Sequence, residues 1–324
     1  MSLSEHVRTL GRGPGRSRSL TEDEAFDAMS LMLQGAEPQA VGACLMLMRM
    51  KGETAEEIAG FARAAQEALP PLPHTDLDWP SYAAGRTRGL PWFLLSAKLL
   101  AASGRRVMLH GWNGADGAVR DGLETLGIAV ARTPQEAAAA LDADGIVYMP
   151  LEDLHPALFA LLDLRRVFGL RSCVNTVCRM LNPGRAGASV QGVFHPPYRL
   201  LQQDAAALMG WRQMTVIKGG GGEFERHPGK VIEGFGLRDG HRWEEDLPAL
   251  VDDSRRLADL DLPASALLDL WDNDEGPDFA RQMVLGTAAL ALRTLGVDDA
   301  VDALWSDRHT RPATPRGTAQ ATRN

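Results

Sequence analysis

From residue 105 onward the sequence repeats one pattern, and that pattern leaves few folds open. Short apolar runs, RRVMLHG at 105–111, GIAVA at 127–131 and GIVYMP at 145–150, are bounded by glycine, arginine or proline. Ala- and Leu-rich stretches of helical character lie beside them, at 93–102, 118–126 and 134–141. Strands and helices alternating at this spacing predict a largely parallel sheet with helices on its faces. ASVQGVF at 188–194 and MTVIKG at 214–219 resume the pattern, and a last strand is expected at VIEGFGL, 231–237. LHPALFALLDLRRVFGL, 154–170, interrupts it as a long amphipathic helix.

The residues before this alternation are helical in pattern. The stretch 20–33 opens with Thr21 and Glu24, a capping box, and Gly35 can stop it. Pro38 suits the first turn of a second helix carrying Val41, Cys44, Leu45 and Met48 on one face. Thr54 and Glu57 cap a third, with Ile58, Phe61, Ala62 and Ala65 as its apolar stripe. PPLPHTDLDWP, 70–80, reads as a proline-rich hinge, followed by a short strand at 81–83. The expected architecture is a small all-helical domain plus a large α/β domain with a mostly parallel central sheet. GRGPGRSRS, 11–19, holds nothing to bury, so residues 1–19 are expected to form a flexible arm and 306–324 a flexible tail.

The chain has 324 residues, 45% of them hydrophobic, enough for one or two domains. A net charge of −8 counts against whole-surface nucleic-acid binding but leaves room for a local basic groove. Arginines pair at Arg86 and Arg88, Arg105 and Arg106, and Arg165 and Arg166, and cluster at Arg8, Arg12, Arg16 and Arg18. No run reaches about 18 apolar residues, so a cytoplasmic protein without a membrane partner is expected. Cys44, Cys173 and Cys178 have no zinc-site spacing and read as buried reduced thiols.

Ligands of open parallel sheets bind beyond the carboxyl ends of the strands. Three glycine-bearing loops fall there: AGRTRGLPW at 84–92, HGWNG at 110–114 and KGGGGEFERH at 218–227. Glycine lets backbone N–H groups approach an anion, and Lys or Arg supplies the opposite charge. The phosphate-binding candidates are therefore Gly85, Arg86, Arg88, Gly89, His110, Asn113, Lys218, Gly219, Gly220, Gly221, Gly222 and Arg226. Bland alternatives stay open: an irregular turn for the glycines, a satisfied histidine for His110, a turn residue for Asn113. KGGGGE is not a Walker loop, and neither a nucleophile elbow nor a zinc motif is present. Glu223 and Glu225 are the acids beside the glycines, able to hold magnesium against a phosphate or to act as bases. Pairing of Glu225 with Arg226 at the surface is the plain alternative.

MRMKGETAEEIAGFARA at 48–64, FGLRSCVNTVCRMLNP at 168–183 and VQGVFHP at 190–196 resemble signatures of glycosyltransferase family 3. Anthranilate phosphoribosyltransferases and pyrimidine nucleoside phosphorylases share that fold. The resemblance implies a helical dimerisation domain from 20–75 with 155–185, an α/β phosphate-binding domain from 76–154 with 186–305, and a homodimer. It places Arg171 at the arginine that contacts anthranilate. The catalytic motifs depart from the family. The Gly-Thr-Gly-Gly-Asp loop reads AAGRTRGLP at 83–91, Leu109 replaces the lysine before His110, and Phe224 with Glu225 stands for the magnesium-binding Asp-Glu pair.

DWPSYAAGRTRGLPW and IKGGGGEFERHP are similar to a branch of transferase-like proteins that bind nucleic acid. That similarity implies a homodimer gripping the phosphate backbone of DNA or RNA along a basic groove, without anthranilate transfer and without a cofactor. The alternative is a magnesium-dependent phosphoribosyltransferase of tryptophan biosynthesis, joining anthranilate to phosphoribosyl pyrophosphate. His110, Arg171 and Glu225 would then be its catalytic residues, and Glu223 with Glu225 its metal ligands.

Overall fold

The structure is a computed structural model that describes residues 2–83, 89–112, 114, 117–253, 255 and 262–310. Both anticipated capping boxes form. Thr21 caps the helix Glu22–Leu33 and Thr54 caps Ala55–Glu67, each with the N3 glutamate reaching back to the cap N–H. Pro38 occupies the first turn of Pro38–Lys51. The first and third of these helices touch closely because Gly60 has no side chain. A Cβ there would lie 2.2 Å from the Glu22 carbonyl oxygen. Ile58 and Phe61 are buried in this contact, each contributing about 2 kcal/mol by removal of apolar surface from water.

The expected flexible arm is helical over Leu3–Gly11. Leu3 and Leu10, seven residues apart, share one face of the helix and are buried, and His6 Nε2 pairs with Asp27 at 2.7 Å. Only the stretch after Gly11 lacks an apolar face. At the other end the chain continues through the helix Val301–Ser306, where Trp305 packs edge-on against Trp271. Arg308 donates to the Trp271 carbonyl. The rest of the expected tail, 311–324, lies outside the described residues.

The sheet has seven strands: β1 (Leu77–Ser81), β2 (Val107–Gly111), β3 (Ile146–Pro150), β4 (Ala188–Val193), β5 (Gln213–Lys218), β6 (Ile232–Arg238) and β7 (His241–Leu247). Their order is β3-β2-β1-β4-β5-β6-β7. The first five run parallel, and β6 and β7 add an antiparallel edge. One hydrophobic core joins the N-terminal helices to one sheet face, and a second packs the helices Phe93–Ala102 and Asp278–Thr294 on the other. The fold is a helical N-terminal unit plus an α/β unit with a mostly parallel sheet.

Four expectations about elements need correction. The proline-rich hinge contains β1, four residues ahead of the strand placed at 81–83. Pro80 is tolerated because the ladder to β4 ends at Asp78. GIAVA supplies a single bridge, Val130 to Tyr148, in place of a strand. The long helix over 154–170 is three short ones, Leu151–Leu154, Pro156–Asp163 and Arg165–Phe168, because Pro156 restarts the helix under a His155 cap and Gly169 ends it at φ 67°. Strand β7 was hidden by its charge: HRWEEDL is an exposed edge, and edges tolerate charges.

Candidate functional site

The glycine loop leaves β5 at the exposed Lys218 and folds back over the end of β4. A Cβ on Gly219 would lie 1.5 Å from the Glu223 carbonyl oxygen, and one on Gly192 2.0 Å from the Glu223 carbonyl carbon. Gly221 and Gly222 have φ of 71° and 97°, backbone that L side chains rarely adopt. Close backbone contact at Gly219 and positive φ at Gly221 and Gly222 therefore account for three of the four glycines. At Gly220 the close neighbour is a side chain, Glu225 Oε2, 3.2 Å from the would-be Cβ.

The extended backbone at Glu223 sends Glu223 and Glu225 to one side and Phe224 to the other. Glu223 Oε1 accepts the Ala83 N–H at 2.8 Å, and Glu225 Oε1 accepts the Phe93 N–H at 3.0 Å. Phe224 is fully buried, edge-on to Trp79 at 5.4 Å. Arg226 neither pairs with Glu225 at the surface nor faces the loop. It is buried, with its backbone N–H on Thr287 Oγ1 and its guanidinium on the Pro248 carbonyl, and burial lowers its pKa.

His110 is fully buried in a polar chain that crosses three strands. Its Nε2 meets Asp78 Oδ1 at 3.0 Å and its Nδ1 meets the Tyr82 hydroxyl at 2.8 Å. The other Asp78 oxygen accepts from Ser189 at 2.7 Å. Both ring nitrogens are engaged, so in this arrangement His110 is a satisfied interior histidine and not an open phosphate contact. Burial raises the Tyr82 pKa well above the usual phenol range. Gly89 has φ 81°, while Gly85, Arg86, Arg88 and Asn113 lie outside the described residues.

A cavity of about 220 Å³ opens where the helical unit meets the end of β4. Arg49, Arg171, Arg179 and His195 give it positive character, and Asn175, Tyr198 and Gln202 add polar groups. Arg49 donates to the Arg171 carbonyl at 2.6 Å, and the Tyr198 hydroxyl donates to Glu53 at 3.2 Å. Burial and the Glu53 charge push the Tyr198 phenol up to about 12. Arg179 is the buried anchor. Its guanidinium donates to the carbonyls of Gly192, Asn175 and Tyr82 at 2.9, 3.0 and 3.0 Å, tying β4, the helix Val174–Arg179 and the start of the first loop together. Sequence reasoning reached Arg171 but missed Arg49, Arg179 and Gln202. An arginine inside the apolar run VNTVCRML was the available signal.

The acid pair is compatible in kind with a magnesium ion carried on a diphosphate. Mg²⁺ is commonly held by one or two carboxylates plus phosphate oxygens. Glu223 and Glu225 are two carboxylates that could serve in this way, and Glu225 Oε2 lies close to Gly220, 3.2 Å from its would-be Cβ. Among the described residues no group of three or more His, Cys, Asp or Glu converges on a metal site, and Phe224 in the core adds no ligand. No helix among them is long and apolar enough to cross a membrane.

Comparison with known proteins agrees with this geometry. Residues 4–69 match the helical bundle domain of a glycosyl transferase family and residues 93–234 match its α/β domain. Anthranilate phosphoribosyltransferase 2 of Streptomyces coelicolor is 32% identical over 308 residues, covering 90% of this chain and 89% of that protein. The anthranilate phosphoribosyltransferase of Xanthomonas campestris is 30% identical over 298 residues, covering 88% and 86%. The crystal structure of the Thermus thermophilus anthranilate phosphoribosyltransferase superposes with a TM-score of 0.77 at 23% identity, covering 96% of this chain and 94% of that one. The Saccharomyces cerevisiae enzyme in complex with PRPP and Mg superposes at 0.70 with 16% identity, covering 95% and 92%. The two matched domains and the near full-length similarity to these transferases place the chain in this glycosyl transferase family.

Proposed function

We propose that the protein is a phosphoribosyltransferase that joins an aromatic amino-carboxylate of the anthranilate type to phosphoribosyl pyrophosphate. The observation that carries the reading is the cavity of Arg49, Arg171 and Arg179, the last of which also lies against Gly222 of the glycine loop, so that a carboxylate can be held near a candidate phosphate-binding turn. The similarity to named transferases over nine-tenths of the chain supports it. In the reaction the acceptor amine forms a bond to ribose C1 as the C1–oxygen bond to diphosphate breaks, and the amine proton is lost to solvent. The Gly220 and Gly221 N–H groups, with Lys218, stabilise the departing diphosphate, the Gly219 and Gly222 N–H groups being bonded to the Val193 and Gly219 carbonyls, and Arg171 orients the acceptor carboxylate. Glu223 and Glu225 would hold magnesium, which when bound would supply charge neutralisation on the leaving group. The test mixes purified protein with anthranilate, phosphoribosyl pyrophosphate and magnesium and follows anthranilate fluorescence. Its disappearance at an enzymatic rate is expected, and folded protein that leaves it unchanged over hours overturns the reading.

A second reading, backbone binding of nucleic acid, draws support from Phe224. The position resembling a family metal acid is filled by an apolar ring packed on Trp79. On this reading Lys218, Arg86 and Arg88 contact successive phosphates, and binding to a polynucleotide weakens steeply with salt. Transferase activity with no such binding rejects it. In either case the exposed Met50 and Val167 of the helical unit supply apolar surface for a second copy of the chain, a homodimer that sedimentation would detect.

A further inference from the structure

The polar chain around His110 closes on itself. Tyr82 meets His110, His110 meets Asp78, and Asp78 accepts from Ser189. Gln191 Nε2 donates to the Ser189 hydroxyl at 3.2 Å and to the Arg179 carbonyl at 2.9 Å. The Arg179 guanidinium then returns to the Tyr82 carbonyl at 3.0 Å. All six residues are buried, and the circuit joins β1, β2 and β4 to the helix Val174–Arg179.

The Tyr82 carbonyl and the Ala83 N–H belong to one peptide group. That group is planar, so fixing one end fixes the other. Arg179 holds the carbonyl end, and the N–H end donates to Glu223 Oε1 at 2.8 Å. The Tyr82 hydroxyl, 2.8 Å from His110 Nδ1, adds a third point of attachment. We infer that Tyr82 is a positioning residue for Glu223, its hydroxyl and carbonyl fixing the Ala83 N–H that orients this acid for magnesium. The inference rests on the transferase reading above, in which Glu223 would hold the metal, and adds to it the residue through which His110 and Arg179 act on that acid. Groups that orient a metal-binding side chain are worth about 10–100-fold in metal affinity.

The experiment is calorimetric titration of the full chain with magnesium pyrophosphate and with metal-free pyrophosphate, and the ratio of the two affinities is the readout. The wild-type protein should prefer the magnesium form. Glu223→Gln, which keeps an acceptor for the Ala83 N–H and removes the charge, should reduce that preference. Tyr82→Phe, which keeps the ring and removes the hydroxyl, should reduce it by about tenfold. Thr294→Val is the structural control. It removes a buried hydroxyl that lies 2.6 Å from Thr215 Oγ1, and should lower stability in urea while leaving the preference unchanged. If Tyr82→Phe does not fold, Ser189→Ala opens the same circuit and should reduce the preference by about threefold or more. A preference unchanged in the folded circuit variant, or reduced equally in Thr294→Val, overturns the role of Tyr82 and leaves Glu223 standing as a metal acid. A wild-type protein without the preference, or a preference unchanged in Glu223→Gln, overturns the magnesium role of Glu223 and this inference together.

Discussion

The carboxylate of Glu225 accepts the backbone N–H of Phe93 at 3.0 Å, joining the glycine loop to the start of the helix Phe93–Ala102 across 132 positions of sequence. A helix start presents N–H groups without helical partners, and an acid there satisfies one of them and favours the helix dipole. Glu225→Ala should therefore cost about 1–3 kcal/mol in urea unfolding. Glu225→Gln keeps an acceptor oxygen and should recover at least half of that loss. If Glu225 also serves the metal, Gln should restore stability without restoring magnesium-dependent turnover, a split that stability and activity measurements on one preparation would reveal.

Arg179 gives a sharper stability test. Three carbonyls from three segments depend on its buried guanidinium, and removing it strands all of them. Arg179→Met should destabilise by about 3–5 kcal/mol, and Arg179→Lys, with no planar fork, should recover only part. Chemical denaturation of both variants measures this. A loss below about 1 kcal/mol for methionine would mean the anchor is dispensable.

Phe224→Asp recreates the family's acid in name only. The aspartate would replace a buried ring against Trp79, with desolvation opposing its charge. The expected loss is about 3 kcal/mol or more, unrelieved by millimolar magnesium. A variant of wild-type stability whose melting temperature rises with magnesium would show that the loop can turn this position outward.

The glycine loop can be dissected one residue at a time. Gly219→Ala should destabilise and remodel the loop, since its Cβ would fall 1.5 Å from a carbonyl oxygen. Gly187→Ala, a control outside the loop just before β4 with nothing within 4 Å of its would-be Cβ, should leave the melting temperature close to wild type. Differential scanning of the pair compares the two directly.

Acid should weaken the first capping box in a defined window. The Arg18 guanidinium, bonded to Glu24, holds the Glu24 carboxyl at about 2, below its ordinary value of 4.5. A carboxyl depressed on folding stabilises above its unfolded pKa and loses that contribution as pH falls toward the folded one. The melting-temperature gap between wild type and Glu24→Gln should thus be full near neutrality and shrink between pH 4.5 and about 2. A gap that is constant across this window would remove Arg18 and Glu24 from the account of acid stability.

The elements that were legible in the sequence carry their own signals. Thr21 with Glu24 and Thr54 with Glu57 are local chemistry, and the buried runs at 107–111 and 146–150 are apolar throughout. Strand β1 was illegible because Asp78, Pro80 and Ser81 look like loop, and only the partners His110 and Ser189 make Asp78 a core residue. The helix Leu3–Gly11 has so few apolar residues that its burial depends on the helix Pro38–Lys51 and on Asp27. In the site, Arg171 was accessible through family resemblance. Gln202 and Gln203 are the same residue type side by side, and which amide is satisfied is a property of three-dimensional packing alone.

The two carboxylate tethers, Glu223 to Ala83 and Glu225 to Phe93, bear on how a guest gets in. They fasten the glycine loop to Ala83 and to Phe93, so neither residue can leave the loop without breaking a buried hydrogen bond. On the cavity's other side the helical unit is braced as well, by the Tyr198 hydroxyl on Glu53 and by Arg179 on the Gly192 carbonyl. Entry and exit should accordingly proceed with the helical unit and the sheet held together.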